Sequence, residues 1–185
     1  MLNQPTSLED QLREMYGRVA YTHKTHEKMA DGYIRRYKTI KTVEIALSAL
    51  AASSLVLAVL GDSKLGTIVG AVLSTVLLGL TLYFKEASLG EQAQKHTVVA
   101  SKLWGVREQL LSLLIDMHDG RAADEIRRQR DVLNEALEDI YRAAPRTDSR
   151  AYSAAQRALK SEEELYFSDA ELNKMLPKQL RRTRP

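Results

Sequence analysis

Cysteine is absent from the 185 residues, which removes disulfides, thiol nucleophiles and zinc–thiolate clusters and suits a reducing cytoplasm. Proline is scarce, four in all, and none falls between residues 6 and 144, so nothing there forces a helix to stop. A dominant charge is lacking too. The 27 basic and 24 acidic residues leave a net +3, so direct nucleic-acid binding gains little support. No Walker loop, glycine-rich phosphate loop or serine elbow occurs. The most informative absence is local: across residues 43–84 the only formal charges are Glu44, Asp62 and Lys64.

What fills that window is apolar. Residues 45–60 and 65–84 are uncharged and would span roughly 24 and 30 Å as helices, close to the hydrocarbon thickness of a bilayer. Thr42, Val43 and Glu44 complete the first, giving transmembrane helices at about 43–60 and 65–84. Both faces of both segments are apolar, whereas a soluble helix keeps a polar face. A signal peptide is not expected, because the run starts some forty residues in and no small-residue cleavage pattern follows it. Gly61, Asp62, Ser63 and Lys64 form the whole connection, which allows only an antiparallel hairpin. Arg35, Arg36, Lys38 and Lys41 precede the first span and Lys85 follows the second, while Lys64 is the one basic residue at the tip. The positive-inside rule then predicts both termini in the cytoplasm.

Polar and small residues mark these spans. Gly66, Gly70 and Ser74 make a small-xxx-small ladder; Thr67, Gly70, Ser74 and Thr81 lie along one stripe; Glu44 and Ser48 add a short polar stripe on the first span. Such residues either serve the helix contact and bond their own carbonyls, or line a water-filled pathway.

Beyond the membrane the helical pattern continues. Leu8, Leu12, Met15, Val19, Thr22, His26, Met29, Tyr33 and Arg36 alternate steps of four and three. Leu89, Gln92, His96, Val99, Leu103, Val106, Leu110, Leu113 and Met117 alternate steps of three and four. Both are coiled-coil seams, and folding at the tip predicts facing residues whose numbers add to about 125. Unbroken, the hairpin would be roughly 80 Å long. His26, Tyr33, Gln92 and His96 form polar layers between the glycine levels Gly17/Gly105 and Gly32/Gly90. These layers read as a hydrogen-bonded specificity element or as a pH-sensitive joint.

After Asp119-Gly120, Ile126, Leu133, Leu137 and Ile140 give a helix with one apolar face that ends before Pro145. Asp148 or Ser149 caps another, running through Tyr152, Ala155 and Leu159 towards Leu165. Ser168-Asp-Ala-Glu171 is a capping box for a last short helix stopped by Pro177. Lys178 to Arg184 reads as a mobile basic tail for anionic headgroups, and Glu162-Glu163-Glu164 as a solvated helix face. The expected architecture is an all-α membrane protein: a long antiparallel helical hairpin, two transmembrane helices continuing into a cytoplasmic coiled coil, with additional short cytoplasmic C-terminal helices. Its parts are an N-terminal helix (1–42), the two-span hairpin (43–84), the continuation of the second span (85–118) and the C-terminal helices with the tail (119–185).

No catalytic constellation assembles. His23-Lys-Thr-His26-Glu27 has the wrong order for a zinc-peptidase motif, and no third ligand or general base is evident beside it. Neither enzyme activity nor a cofactor is expected. Arg107, Arg127, Arg128 and Arg130 are candidate contacts for an anion such as a nucleotide, though arginines on helix surfaces are commonly just solvated.

Three stretches carry a resemblance: Tyr21-x-His-Lys-Thr-His-Glu-Lys28; Leu103-Trp-x-x-Arg-Glu108 followed by Leu111-Ser-Leu-Leu114; and Phe167-Ser-Asp-x-Glu171 with Leu176-Pro177. With the two spans they cover almost the whole chain, which resembles the SLATT family of two-transmembrane effectors from bacterial nucleotide-signalling and antiphage systems. Members often carry Cys where Met29 stands, so a thiol role is impossible here. The resemblance implies an inner-membrane effector that forms a homo-oligomer and permeabilises the bilayer on a signal. That signal would be a nucleotide second messenger or a partner nucleotidyltransferase or reverse transcriptase. Two spans cannot enclose a pore, so conduction needs several copies. The competing expectation is a non-conducting membrane adaptor that recruits a nucleic-acid or nucleotide enzyme.

Overall fold

The computed structural model describes residues 7–61 and 64–182. Asp62 and Ser63 of the expected hairpin tip, and Thr183 and Arg184 of the basic tail, lie outside the described residues. Among the described residues six α-helices follow one another: α1 (Leu8–Leu60), α2 (Lys64–Ala87), α3 (Leu89–His118), α4 (Ala123–Ala143), α5 (Ser149–Lys160) and α6 (Asp169–Met175). No strand occurs among the described residues. The protein is an all-α membrane protein built on two long apolar helices.

The chain divides into two compact units, residues 29–99 and residues 1–28 with 100–185. In the first unit, α1 and α2 lie side by side. Their less exposed positions are Ile40, Glu44, Leu47, Ala51, Ser54 and Ala58 on α1, and Gly66, Gly70, Leu73, Leu77, Leu80 and Phe84 on α2. Both sets alternate steps of three and four, the signature of a left-handed crossing. The contacts fix the register: Gly66 faces Ser54 and Ala58, Gly70 faces Ser54 and Leu55, and Thr81 reaches Glu44. Each pair has numbers adding to about 125 or slightly less, as the folded seam requires.

Across residues 41–60 and 65–86 all the remaining residues are exposed. Only 6 % of each apolar window is buried, and Ile45, Val59, Leu60, Leu65 and Tyr83 are at least 70 % exposed. A core helix of a soluble protein would be mostly covered. Leaving each large aliphatic side chain in water would cost roughly 1.5–3 kcal/mol, so the solvent that suits this surface is hydrocarbon.

The second helix is not continuous past the apolar run. Ser88 interrupts it with φ of 45°, and α3 restarts at Leu89. The Ser88 N–H and Oγ both approach the Lys85 carbonyl at 3.4 Å, and the Gln92 N–H donates to the Ser88 carbonyl at 3.0 Å. A serine tolerates this left-handed conformation because its short side chain bonds the backbone locally. No proline was needed, so a scan for helix breakers misses the turn.

In the second unit the predicted seam residues Leu12, Met15, Val19 and His26 of α1 and Leu103, Val106, Leu110 and Leu113 of α3 are buried; Ala20, His23, Lys24, Thr25, Ala100 and Arg107, off that seam, are buried beside them, and Thr22 is half-buried. Gly120, at φ of 91°, closes α3: the Gly120 N–H donates to Met117 O and the Arg121 N–H to Asp116 O. This is the glycine-terminated C-cap in which positive φ costs least. α4 then buries Ile126, Leu133 and Leu137, and α5 buries Ala151, Ala155 and Ala158. Asp148 caps α5 by accepting from the Ala151 N–H at 2.7 Å. α5 ends at Lys160, short of Leu165. The capping box of Ser168 and Glu171 opens α6 as expected.

Candidate functional site

Within the hairpin unit, the predicted stripe splits in two. Gly66 and Gly70 lie in the helix contact, where Gly70 is buried and Gly66 half-buried. Ser74 does not continue the ladder: Leu73 takes the next contact position, and Ser74 is exposed beside it. Steps of four drift around the helix by about 40° each, so a straight ladder leaves a seam that alternates three and four. Thr67, Ser74 and Thr81, seven apart, share an exposed flank of α2.

Glu44 stands at the start of the first apolar run. Its side chain is only 13 % exposed, pairs with Lys41 Nζ at 2.8 Å and accepts from Thr81 Oγ1 at 3.3 Å. Ser48 donates to the Glu44 carbonyl at 2.7 Å. Ser53, Ser54 and Thr75 likewise donate to carbonyls four residues back, at 2.8–2.9 Å. These hydroxyls are satisfied within their own helices, with no water required.

Of the predicted polar joint, Tyr33 and His96 stack at 5.6 Å and 24°, His96 is buried and Gln92 is half-buried. His26 is buried in the other unit.

That other unit gathers most of the motif residues. His23 is 4 % exposed, and its Nδ1 is 2.9 Å from the Ala100 carbonyl. A carbonyl only accepts, so Nδ1 carries the proton. Nε2 has no hydrogen-bond partner; Glu27 Oε2 is 3.6 Å away. The His23 ring lies 5.5 Å from that of Trp104. The Arg107 guanidinium lies 4.6 Å from the Trp104 centroid and 5.6 Å from that of Tyr16, with Nε donating to the Tyr16 hydroxyl at 3.2 Å and Nη1 to Glu108 at 2.7 Å. Arg107 is thus a packed cation that joins α1 to α3, buried at 6 % exposure.

The acidic run is not a uniform solvated face. It lies in the turn after α5, where Glu163 has φ of 49°, and Glu164 folds back onto α1. Lys24 Nζ reaches Glu164 at 2.5 Å and Glu27 at 2.7 Å, and Lys28 Nζ reaches Glu164 at 2.7 Å. Hydrogen bonds from the two ammonium groups, Lys24 first, pull the Glu164 carboxyl down to about 2. Burial works against the Lys24 charge, but the bonds to Glu164 and Glu27 outweigh it and hold that ammonium above its ordinary range. Tyr21 and Tyr152 stack at 6.2 Å beside this clamp, so α5 and the chain after it are fastened to α1 from two sides.

The remaining predicted arginines do not converge. Arg127 pairs with Asp124 at 2.9 Å, Arg130 binds Asp131 and, through Nη1, Gln11 at 2.7 Å, and Arg128 is exposed on α4. A groove of about 500 Å³ between α1 and α4 is lined by Met15, Val19 and Leu137 beneath Arg18, Tyr141 and Arg142, and includes none of the four. Among the described residues no group of three or more His, Asp or Glu side chains is placed to hold a metal.

Sequence reasoning missed the Lys24–Glu164–Lys28 clamp and the Tyr16–Arg107–Trp104–His23 stack. The signal was available, because Tyr21 to Lys28 and Leu103 to Glu108 are two of the stretches that carried the family resemblance. The family described as SMODS and SLOG-associating 2TM effector domain family 4 matches residues 8–171. No curated protein and no solved structure matches the chain.

Proposed function

From the chain's membership of the SMODS and SLOG-associating two-transmembrane effector family, we propose that it acts in the bacterial inner membrane as the output of a conflict system, oligomerising and permeabilising the bilayer on a signal. Both termini face the cytoplasm in this reading, which the cations at residues 35–41 and Lys85 support. It is not an enzyme: its work is done by assembly. A nucleotide second messenger, or a partner nucleotidyltransferase or reverse transcriptase, supplies the trigger.

The observation that carries the proposal is the exposed flank of Thr67, Ser74 and Thr81, seven residues apart on one side of α2. α1 and α2 close on each other through Gly66 and Gly70 and leave no lumen between them, so a conducting path needs the flanks of several copies.

The second reading is a non-conducting adaptor that brings a nucleotide or nucleic-acid enzyme to the membrane. It is favoured by the hydroxyls of Ser48, Ser53, Ser54 and Thr75, each already bonded to its own helix. Dye leakage from liposomes carrying the full chain, with and without candidate nucleotides, separates the two. Leakage that disappears in Ser74→Leu at unchanged oligomer size supports the pore. Sealed vesicles with correctly inserted protein under every nucleotide overturn a nucleotide-triggered pore, in favour of the adaptor or of an effector that needs its partner enzyme.

A further inference from the structure

Residues 166–182 keep five large apolar side chains on the outside: Tyr166, Phe167, Leu172, Met175 and Leu180, from 37 % to 64 % exposed. The segment is nonetheless ordered. The Ser168–Glu171 capping box starts α6; Asn173 clasps the backbone of Arg182 through two hydrogen bonds, at 2.8 and 2.9 Å; and Arg181 Nε donates to the Leu176 carbonyl at 2.9 Å. The tail expected to be mobile is therefore tied back onto α6 as far as Arg182. Glu171 spends its charge internally, accepting from the Ser168 N–H and Oγ at 2.8 Å each, which holds its carboxyl below the ordinary range. Lys174, Lys178, Arg181 and Arg182 all remain exposed around the apolar side chains.

We propose that this segment docks on the bilayer surface, with Tyr166, Phe167 and Met175 at the acyl–headgroup boundary and the four cations on anionic headgroups. Aromatic and aliphatic side chains rimmed by Lys and Arg are the composition of an interfacial element. The occupant is argued from the same chain: its two apolar helices keep a lipid surface at high effective concentration. Because the segment is already folded, docking orders few side chains, and most of the contact free energy is retained. The inference rests on membrane residence and is independent of whether the protein conducts.

The absence of native cysteine allows the test on the full chain. A nitroxide on Gln179→Cys is read by oxygen and nickel accessibility in liposomes of phosphatidylcholine alone and with a quarter phosphatidylglycerol. A second label on Val59→Cys verifies insertion. The expected result is headgroup-level depth in the anionic vesicles, loss of that depth in neutral ones, and loss in both when Lys174, Lys178, Arg181 and Arg182 are changed to Gln. Depth that is equal in neutral vesicles, or that survives the four changes, overturns the anionic docking. A label that stays aqueous in both mixtures and becomes immobilised as protein density rises overturns it in favour of a contact between copies.

Discussion

Adding one methyl group at each of three glycines separates the hairpin contact from the rest of α2. At Gly66 a Cβ would lie 3.0 Å from the Ser54 carbonyl oxygen, 3.2 Å from Ala58 N and 3.4 Å from Ala58 Cα, all backbone atoms that cannot rotate away. At Gly70 the nearest atoms are the Leu55 Cδ2 and Cγ, both at 3.2 Å and on a side chain that can shift. At Gly79 nothing lies within 4 Å. Alanine gains helix propensity at all three, about 1 kcal/mol in water, so differences among the variants isolate packing. Overpacking a close contact costs about 1–3 kcal/mol, and Gly66→Ala should be less stable than Gly79→Ala by that amount. Gly70→Ala should fall between them, within about 1 kcal/mol of Gly79→Ala. Donor and acceptor dyes on Thr39→Cys and Glu86→Cys report helix separation while denaturing detergent is titrated into bicelles. If Gly66→Ala separates at the same detergent fraction as Gly79→Ala, α1 and α2 do not meet where Ser54 and Ala58 are placed.

The clamp should be visible as a pH effect. Glu164 has its carboxyl depressed from 4.5 to about 2 in the fold, so its stabilisation is complete above about pH 4.5 and is lost as pH falls towards 2. With solvent screening of this partly exposed group, the loss is about 1 kcal/mol, seen in thermal melts of wild type and absent from Glu164→Gln. Arg107→Lys keeps the charge but gives up the planar stack on Trp104 and Tyr16, and should lower stability by about 1 kcal/mol with a change in Trp104 fluorescence. An unchanged emission spectrum would refute the stack. Asp148→Ala removes the α5 cap and should cost about 1 kcal/mol by thermal melt, while Asp148→Asn should recover most of it; equal losses would show that the cap contributes nothing.

Much of the architecture was legible because it depends on local rules. The apolar windows, the α5 and α6 caps and the seam residues Leu12, Met15, Val19, Leu103, Val106 and Leu110 follow from periodicity and cap chemistry, which need only a few neighbouring residues. The Ser88 turn was not legible, since serine is neither glycine nor proline and its conformation is held by bonds to Lys85. Nor was the clamp. Lys24 and Glu164 are far apart in the chain, and a lysine in a charged helix looks solvated until a later turn is folded against it. Arg107 shows the same gap: side-chain type predicts a solvated head, whereas stacking between Tyr16 and Trp104 leaves it 6 % exposed.

The splitting of the membrane stripe bears on what assembly can use. A seam that alternates three and four consumes Gly66 and Gly70 inside one hairpin, so neither glycine is left to bring two copies together. Any contact between copies within the bilayer must therefore use the outward surface, where Thr67, Ser74 and Thr81 repeat every seven residues. A seven-residue repeat drifts only about 20° per step and so stays on one side of α2, available either to a neighbouring helix or to a shared aqueous path. One substitution separates the two uses. Valine at Thr81 removes a hydroxyl that reaches Glu44 at 3.3 Å while keeping the side-chain shape. If the flank is a packed contact, Thr81→Val preserves assembly and any leakage. If it lines a path, the carboxylate of Glu44 loses its bridge to α2 and conductance changes at constant oligomer size, which single-channel recording in planar bilayers would detect.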